Sequence, residues 1–243
     1  MRSRLAHDGD RFGERMTTLC DMSFGKIIGE RAAESPGTPL DVLVAGCGRG
    51  EPLELGGVDC RVTGVDEDRP ALRAHTTQRP DLHVYALGDM RSVPMTPRGF
   101  DVVTVEFLLE RIEYAELVLD RMVNALRPGG LLLVRVRDRE SAYGFVDRIA
   151  PDWLRKRFGE PLPAVYESVC SREGLRAYCL MRGLMIAEDR SDTTGPARLG
   201  PRRKLVETVC RAAAYLSRGR LDSVYDEVTL IVRRPRNHFA RII

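Results

Sequence analysis

The 243-residue sequence has no long apolar run, no paired-cysteine motif and very little lysine. A membrane-spanning helix needs about 18 consecutive apolar residues, so we expect no membrane span. The first 16 residues carry charge and have no apolar stretch behind them, so no signal peptide is expected. These absences favour a cytoplasmic protein.

Cysteine is present but not in patterns that bind metal. None of the six residues forms a CxxC pair, and none clusters with histidine. Without an export signal, we expect reduced thiols and neither disulfides nor a zinc site. The cysteines are Cys20, Cys47, Cys60, Cys170, Cys179 and Cys210.

The charge is nearly balanced, with a formal net charge of +3 and a sequence pI of about 8.6. Such a balance does not require a nucleic-acid partner. Lysine occurs only at positions 26, 156 and 204, and we interpret the excess of arginine as genome composition. Basic clusters at 202–204 and 233–236 have two interpretations. We favour a solvated rim and a frayed tail, and the alternative is an anion-binding edge for an acidic acceptor.

Short apolar runs alternate with helical patterns from residue 40 onward, which predicts a parallel sheet covered on both faces. The predicted strands are 40–45, 60–65, 82–87, 100–105, 131–136, 184–188 and 227–233. The predicted helices are 69–78, 113–126, 172–182 and 203–216. In the second helix, Leu117, Val118, Met122 and Leu126 are expected to share the buried face, and 127–130 are expected to end it.

The same pattern predicts one domain without an interdomain linker. Apolar residues at near-helical spacing (Phe12, Met16, Leu19, Phe24, Ile27 and Ile28) predict a helical lead-in. Residues 139–170 fit no strand–helix alternation and are expected to form an aromatic-rich cap. The expected parts are a lead-in over 1–39, a ligand-binding core over 40–138, a cap insertion with a helix over 139–182, the last two strands with an inserted helix over 183–233, and a basic tail over 234–243.

The strongest motif is a buried strand that runs directly into a G-x-G-x-G turn, at Gly46, Gly48 and Gly50. Glycine permits a sharp turn and a close backbone approach to a ligand. In open α/β sheets, ligands bind at the carboxyl ends of strands. A plain strand-to-helix turn is the alternative interpretation.

Acidic residues end the next two strands. Asp66 lies 16 positions after Gly50, where a carboxylate can accept hydrogen bonds from both hydroxyls of a ribose. Asp89 follows Gly88 and can accept from an adenine amino group, while the backbone of Met90 pairs with the ring edge and its side chain covers the base. Taken singly, a helix cap and an ordinary turn would explain the two acids.

Two further segments complete the pattern. Residues 99–103 read Gly-Phe-Asp-Val-Val and are followed by Glu106 and Phe107. Residues 126–133 read Leu-Arg-Pro-Gly-Gly-Leu-Leu-Leu. The five motifs in this order are more specific than any one of them.

Together these motifs resemble the class I S-adenosylmethionine-dependent methyltransferases, in particular the group that methylates small molecules. The resemblance covers residues 40–138 well and the remainder weakly. It implies an α/β fold of the Rossmann-like type, a doubly wound, seven-stranded and mostly parallel sheet whose last strand is antiparallel. It implies that Gly46, Cys47, Gly48 and Gly50 lie beside the methionine and ribose parts of the cofactor, Asp66 and Glu67 beside the ribose, Asp89 and Met90 at the adenine, and Glu106 and Phe107 at the sulfonium.

Two positions depart from that family's pattern. Val44 stands where relatives have an acid that helps to fix the methionine end of the cofactor. Glu110-Arg111 stands where many relatives have Glu-His, so a histidine base is absent at that place.

Methyl transfer from a sulfonium chiefly requires alignment of the acceptor and exclusion of water, and a base only where the acceptor loses a proton. Candidate bases are Glu110, Tyr143 and His75. Structural roles are the alternative for each of them: a helix-start partner, a cap aromatic and a solvated helix residue. The acceptor is expected to contact the lead-in, 139–170 and 192–222.

The function expected from the sequence is methyl transfer to a small molecule, at an oxygen of a metabolite, lipid or glycoside, with a homodimer possible. One alternative is a non-catalytic S-adenosylmethionine-binding subunit, which the departures at Val44 and Arg111 keep open. Another is a nicotinamide-dependent oxidoreductase, although that class has G-x-G-x-x-G. An RNA-modifying enzyme would require the basic clusters to converge on the cofactor site.

Overall fold

The structure is a computed structural model that describes residues 23–34, 37–151, 153, 164–193, 203–218, 220–221 and 224–236. The strands are β1 (Leu40–Ala45), β2 (Cys60–Asp66), β3 (Val84–Leu87), β4 (Phe100–Glu106), β5 (Leu126–Arg137), β6 (Met185–Asp192) and β7 (Glu227–Arg233). The described helices are α1 (Phe24–Ala33), α2 (Pro70–Thr76), α3 (Ala115–Ala125), α4 (Ala142–Ile149), α5 (Arg172–Met181) and α6 (Arg203–Leu216). Within these ranges, none of the helices combines the length and apolarity that a membrane crossing requires.

All seven strands form one sheet in the order β3-β2-β1-β4-β5-β7-β6. The first five strands pair in parallel, and β7 is antiparallel to both β5 and β6. The predicted doubly wound sheet with an antiparallel last strand is therefore confirmed. Because β1 has β2 on one side and β4 on the other, the strand order reverses at β1. Sheets of this type bind ligands at that reversal, outside the carboxyl ends of the strands.

Both faces of the central strands β1, β4, β5 and β7 are largely buried, which explains why their sequences read as continuous apolar runs. On one face, Val42 and Val44 pack with Phe24 and Ile28 of α1. On the other face, the core includes the buried side of α3 and residues of α5, among them Leu43, Val103, Val118, Met122 and Leu175. The carboxyl ends of β1, β2 and β4 are thereby held on a rigid support.

Three sequence predictions about α3 and β5 are wrong. Helix α3 ends at Ala125, and Leu126 begins β5, so residues 127–130 belong to the strand. The reason is a distant partner: the Gly129 amide donates to the Arg234 carbonyl at 2.8 Å, and Gly129 has φ +84°. Leu117, which was expected in the buried face, is 49% exposed.

Smaller differences concern element ends. Strand β3 begins at Val84 and not at 82, because His83 pairs with β2 partly through its ring: the Val62 amide donates to His83 Nδ1 at 3.1 Å. Strand β6 extends to Asp192 because it pairs with β7 as far as Glu227. The helix predicted over 69–78 is shorter (Pro70–Thr76) and that over 172–182 ends at Met181, while α6 and β7 have the predicted bounds.

The cap contains a helix that the sequence did not predict. Ser141 begins α4, with its hydroxyl accepting from the Gly144 amide at 3.1 Å. Helix α4 packs against α6, and the rings of Tyr143 and Tyr225 meet edge to face at 5.2 Å. Of the predicted lead-in, α1 lies within the described residues. Phe12, Met16 and Leu19 lie outside them, as do residues 154–163 of the cap.

Helix α1 approaches the chain that follows the glycine turn at backbone distance. A Cβ at Gly25 would lie 2.1 Å from the carbonyl oxygen of Glu54, whereas a Cβ at Gly29 would meet only a Val58 methyl at 3.6 Å. The two glycines are one helical turn apart and therefore share a face. Of these two positions, only position 25 requires glycine.

This difference predicts opposite effects of the same substitution. We expect Gly25→Ala to lower the free energy of unfolding by about 1–3 kcal/mol, because the backbone has to shift. We expect Gly29→Ala to raise it by roughly 0.5–1 kcal/mol through helix propensity. Urea unfolding followed by circular dichroism measures both, and equal midpoints for the two variants would contradict the close approach.

Candidate active site

The glycine turn follows β1 and is held against β2 and α2. Gly46 has φ +84°, and its amide donates to the Val65 carbonyl at 2.8 Å. A Cβ at Gly48 would lie 2.8 Å from the Leu72 Cβ and 2.9 Å from the Leu72 carbonyl oxygen. Glycine is therefore required at both positions, by backbone conformation at the first and by contact with α2 at the second.

Asp66 connects the glycine turn to the next two strand ends. Its Oδ2 accepts from the Gly48 amide at 2.8 Å, and its Oδ1 accepts from the Glu67 amide at 2.7 Å. Its backbone carbonyl accepts from the Gly88 amide at 2.9 Å. The structure thus brings together the glycine turn, the end of β2 and the loop after β3, as the motif order predicted.

Arg49, which the sequence analysis did not single out, forms ion pairs with both acids at the end of β2. Its guanidinium contacts the Asp66 carboxylate and donates to Glu67 Oε2 at 2.8 Å. The side chain of Arg49 is 5% exposed and that of Asp66 is 0% exposed. Burial raises the pKa of Asp66, and Arg49 and the two amides oppose that rise by stabilising the ionised form.

The loop after β3 separates its two candidate residues. Asp89 is exposed, and Arg91 donates to it through Nε at 2.9 Å and through Nη2 at 2.6 Å. These hydrogen bonds lower the pKa of Asp89 to about 2. The Met90 side chain lies in the core, and its carbonyl accepts from Arg121 Nη1 at 2.5 Å. The loop backbone is therefore fixed from α3.

The last pair of candidate residues ends β4. Glu106 Oε2 lies 3.4 Å from the position that a Cβ of Gly50 would occupy, so this carboxylate lies against the glycine turn. Phe107 has φ +51°, and its amide donates to the Arg135 carbonyl at 2.9 Å. The guanidinium of Arg137 lies 4.8 Å from the centre of the Phe107 ring.

A buried ion pair between Arg79 and Asp81, which the sequence analysis missed, holds the backbone of the glycine turn in place. Arg79 Nη1 donates to the carbonyls of Cys47 at 3.1 Å and Gly50 at 3.3 Å, and its Nε donates to Asp81 at 2.9 Å. Asp81 also accepts from the Leu53 amide at 2.9 Å. Burial acts to raise the pKa of Asp81, yet the bonds from Arg79 and Leu53 leave it below its usual value.

Two of the candidate bases are buried and the third is exposed. Glu110 is fully buried, with Arg137 Nη1 3.9 Å from its Oε1. Tyr143 is buried against Tyr225 in the cap. His75 lies on the solvent face of α2. The three residues do not form one group, and their part in catalysis stays a prediction.

The two departures from the family pattern both have structural partners here. Val44 is buried in the core with Phe24 and Ile27 of α1. Arg111 forms a buried ion pair with Asp147 of α4 at 2.8 Å, and the Tyr166 hydroxyl donates to the same carboxylate at 2.9 Å. Position 44 thus serves packing, and position 111 fastens the cap to the end of β4.

The basic cluster at 233–236 has a structural partner as well. Arg234 Nη1 donates to the carbonyls of Val123 at 2.7 Å and Leu126 at 2.5 Å, where α3 ends and β5 begins. Arg234 therefore serves the junction of α3 and β5, and the role of the whole cluster as a rim or an anion-binding edge stays a prediction. In the cluster at 202–204, position 202 lies outside the described residues, and positions 203 and 204 begin α6. The five described cysteines are free and buried, and Cys20 is outside the described part.

Residues 43–134 match the methyltransferase domain family. Demethylmenaquinone methyltransferase from Paenarthrobacter aurescens strain TC1 is 29% identical over 141 residues, which cover 56% of this chain and 51% of that protein. The chain therefore spans about half the length of this curated relative.

Solved structures share the fold at low sequence identity. Geranyl diphosphate C-methyltransferase from Streptomyces coelicolor A3(2) has a TM-score of 0.56 and 15% identity, covering 86% of this chain and 80% of that one. An S-adenosylmethionine-dependent methyltransferase from Mesorhizobium loti has a TM-score of 0.54 and 17% identity, covering 86% and 98%. The cyclase SpnF has a TM-score of 0.54 and 16% identity, covering 88% and 80%.

These likenesses agree with the geometry of the glycine turn. At such identities the solved structures establish the fold alone, while the family match covers β1 to β5 and the loops that carry Asp66, Asp89 and Glu106. The family match over residues 43–134, the sheet order and the glycine turn together support a class I S-adenosylmethionine-dependent methyltransferase fold for this part of the chain.

Proposed function

We propose that this chain binds S-adenosylmethionine at the glycine turn and transfers the methyl group to a small-molecule acceptor, at an oxygen of a metabolite, lipid or glycoside. One observation carries the proposal. The Asp66 side chain is bonded to the Gly48 amide, and the Asp66 carbonyl is bonded to the Gly88 amide, at the point where the strand order reverses. The carboxylate that we propose for the ribose, the glycine turn and the loop that we propose for the adenine therefore meet in one place.

The residues present fit an adenosine. Asp66 and Glu67 would hold the ribose hydroxyls. For this, the Arg49 guanidinium would have to give up its contact with at least one of the two carboxylates. Asp89 and the Met90 backbone would hold the adenine. The turn residues Gly46, Cys47, Gly48 and Gly50 would lie along the methionine and ribose parts, and Glu106 and Phe107 would border the sulfonium.

The cofactor supplies a methyl group already bonded to a positively charged leaving group, so the protein has little covalent chemistry to perform. With the cofactor bound, Phe107 and the cap would exclude water beside the sulfonium and align the acceptor. An alcohol or phenol acceptor must also lose a proton. Glu110 is the candidate nearest to Phe107 along the chain, and Arg137 contacts both residues.

A non-catalytic cofactor-binding subunit is the second candidate. The observation in its favour is Arg111, which occupies the place of the histidine and is committed to Asp147. Incubating the protein with methyl-labelled cofactor and cell extract separates the two candidates. Label appearing in a small-molecule fraction supports the enzyme, and cofactor binding without any labelled product supports the subunit.

Carboxylate removal gives the first test of the cofactor site. We expect Asp66→Ala and Asp89→Ala each to weaken binding of S-adenosylhomocysteine by about 10–100-fold, since hydrogen bonds to charged groups contribute about 1.5–3 kcal/mol. Isothermal calorimetry measures the affinity. Asp89 is exposed, so its variant remains informative if the buried Asp66 variant does not fold.

The matched control is Asp68→Ala, which removes an exposed acid two positions after Asp66 that pairs with Arg73. We expect its affinity to equal that of the unchanged protein. Equal losses in all three variants would contradict the assignment, as would an unchanged affinity in both site variants.

The support under the turn gives a second test. We expect Arg79→Met to lower the free energy of unfolding by about 3–5 kcal/mol, because Asp81 is left charged and buried without its guanidinium. Cofactor affinity should fall as well, since two carbonyls of the turn lose their donor. Arg73→Met, the same change at an exposed ion pair on α2, is the control and should leave the urea midpoint unchanged. Equal urea midpoints for Arg79→Met and Arg73→Met would contradict the role of Arg79 in stabilising the turn.

A further inference from the structure

We propose that the ion pair between Glu106 and Arg135 binds the amino-acid end of the cofactor, with Glu106 receiving the ammonium and Arg135 the carboxylate. The inference rests on the proposed function and deepens it. It concerns a part of the ligand beside which the last four residues of β1, 42–45, carry no charged side chain. A charged amino-acid end requires opposite charges nearby, and the ends of β4 and β5 offer a carboxylate and a guanidinium.

Strand register places Glu106 on the same face as position 44. Val44 is paired with Thr104, and Glu106 lies two residues beyond Thr104 on β4. Side chains two positions apart point to the same face of a sheet, and so do paired neighbours. Glu106 is itself paired with Arg135 on β5. Val44, Glu106 and Arg135 therefore share one face, and the two charged residues lie farther toward the carboxyl ends of the strands.

Glu106 also reaches across to the glycine turn. Its Oε2 is 3.4 Å from the Cβ position of Gly50, and its carbonyl oxygen is 3.5 Å from that of Gly46. A ligand lying along the turn at Gly46 to Gly50 would pass within reach of this carboxylate. The Glu106 side chain is 20% exposed, so a ligand at the turn can reach it.

Arg135 is held in place on three sides. Its Nη1 lies 3.1 Å from Glu106 Oε1, and its Nε lies 3.5 Å from Glu227 Oε1 and donates to Thr229 Oγ1 at 3.3 Å. Its guanidinium lies 4.8 Å from the centre of the Phe24 ring. Phe24 packs in the same cluster as Val44, so α1 supports the guanidinium from the face where an acid at position 44 would point.

The arrangement suits a zwitterion better than a single charge. A carboxylate and a guanidinium side by side can each exchange part of their mutual contact for the opposite charge of the ligand, so no charge is left unpaired when the ligand binds. Guanidinium also matches the planar geometry of a carboxylate. The pair is partly exposed, which keeps the cost of desolvation small.

The test compares two ligands that share the adenosine. S-adenosylhomocysteine carries the amino-acid end, and methylthioadenosine lacks it. We expect Glu106→Gln to weaken S-adenosylhomocysteine binding by about 10–100-fold in calorimetry, while methylthioadenosine affinity changes less than about twofold. The Gln side chain has the same size, so packing at the turn is preserved.

Glu227→Gln is the control, because it removes the other acid beside Arg135 without touching the glycine turn. It should alter neither affinity by more than about threefold. If Glu106→Gln does not fold, Glu106→Asp serves instead, because it keeps the negative charge and shortens the side chain by one methylene. We expect it to weaken the binding of S-adenosylhomocysteine and to leave that of methylthioadenosine unchanged.

The outcomes separate this inference from the proposed function. A selective loss for S-adenosylhomocysteine supports the inference. Equal losses for both ligands, or no loss for either, would overturn it while leaving the cofactor site in place. Unchanged protein that binds neither ligand would remove the proposed function, and the inference with it.

Discussion

A carboxylate without solvent contact organises the ligand edge of the sheet. Asp66 is fully buried, and burial alone would favour its neutral form. The Gly48 amide, the Glu67 amide and the Arg49 guanidinium all donate to the carboxylate and oppose the rise in its pKa that burial causes. The same bonds fix the glycine turn to the end of β2. A ligand hydroxyl can replace one of these donors, because a buried carboxylate loses stability only where a donor leaves without a successor.

On the face of the sheet that α1 covers, position 44 is apolar and charged side chains stand at the ends of β4 and β5. Position 44 is apolar and packs under α1, and the neighbouring charges are supplied two residues farther along the sheet by Glu106 and Arg135. At position 111 an arginine forms a structural ion pair with Asp147. The pair of Glu106 and Arg135 is partly exposed at the strand ends, whereas the buried charge of Arg111 is compensated by Asp147.

Sequence patterns predicted what depends on local chemistry. The apolar runs predicted seven strands, and the glycine turn with Asp66 predicted the place where the strand ends meet. They did not predict the bounds of β5, because Gly129 is fixed by Arg234, about a hundred residues away. Arg49 and Arg79 were missed for a related reason. Arginine is abundant throughout this sequence, so nothing in its local pattern marks the two that are bonded to the turn.

Helices α4 and α6 share a small apolar core that is separate from the core of the sheet, and this bears on where acceptor specificity resides. Tyr143, Cys210 and Tyr225 form a small core of their own, separate from the two clusters that cover the sheet. Ion pairs and ring contacts, such as Arg111 with Asp147 and Arg137 with Tyr143, link that core to β4 and β5. Such links constrain a few side chains and leave most of the cap surface free to differ. Proteins of this fold include a geranyl diphosphate C-methyltransferase and a cyclase, so the shared sheet leaves the chemistry of the second ligand open. We therefore expect acceptor choice to depend on the cap, and the sheet edge at Asp66 to serve the adenosine of the proposed cofactor.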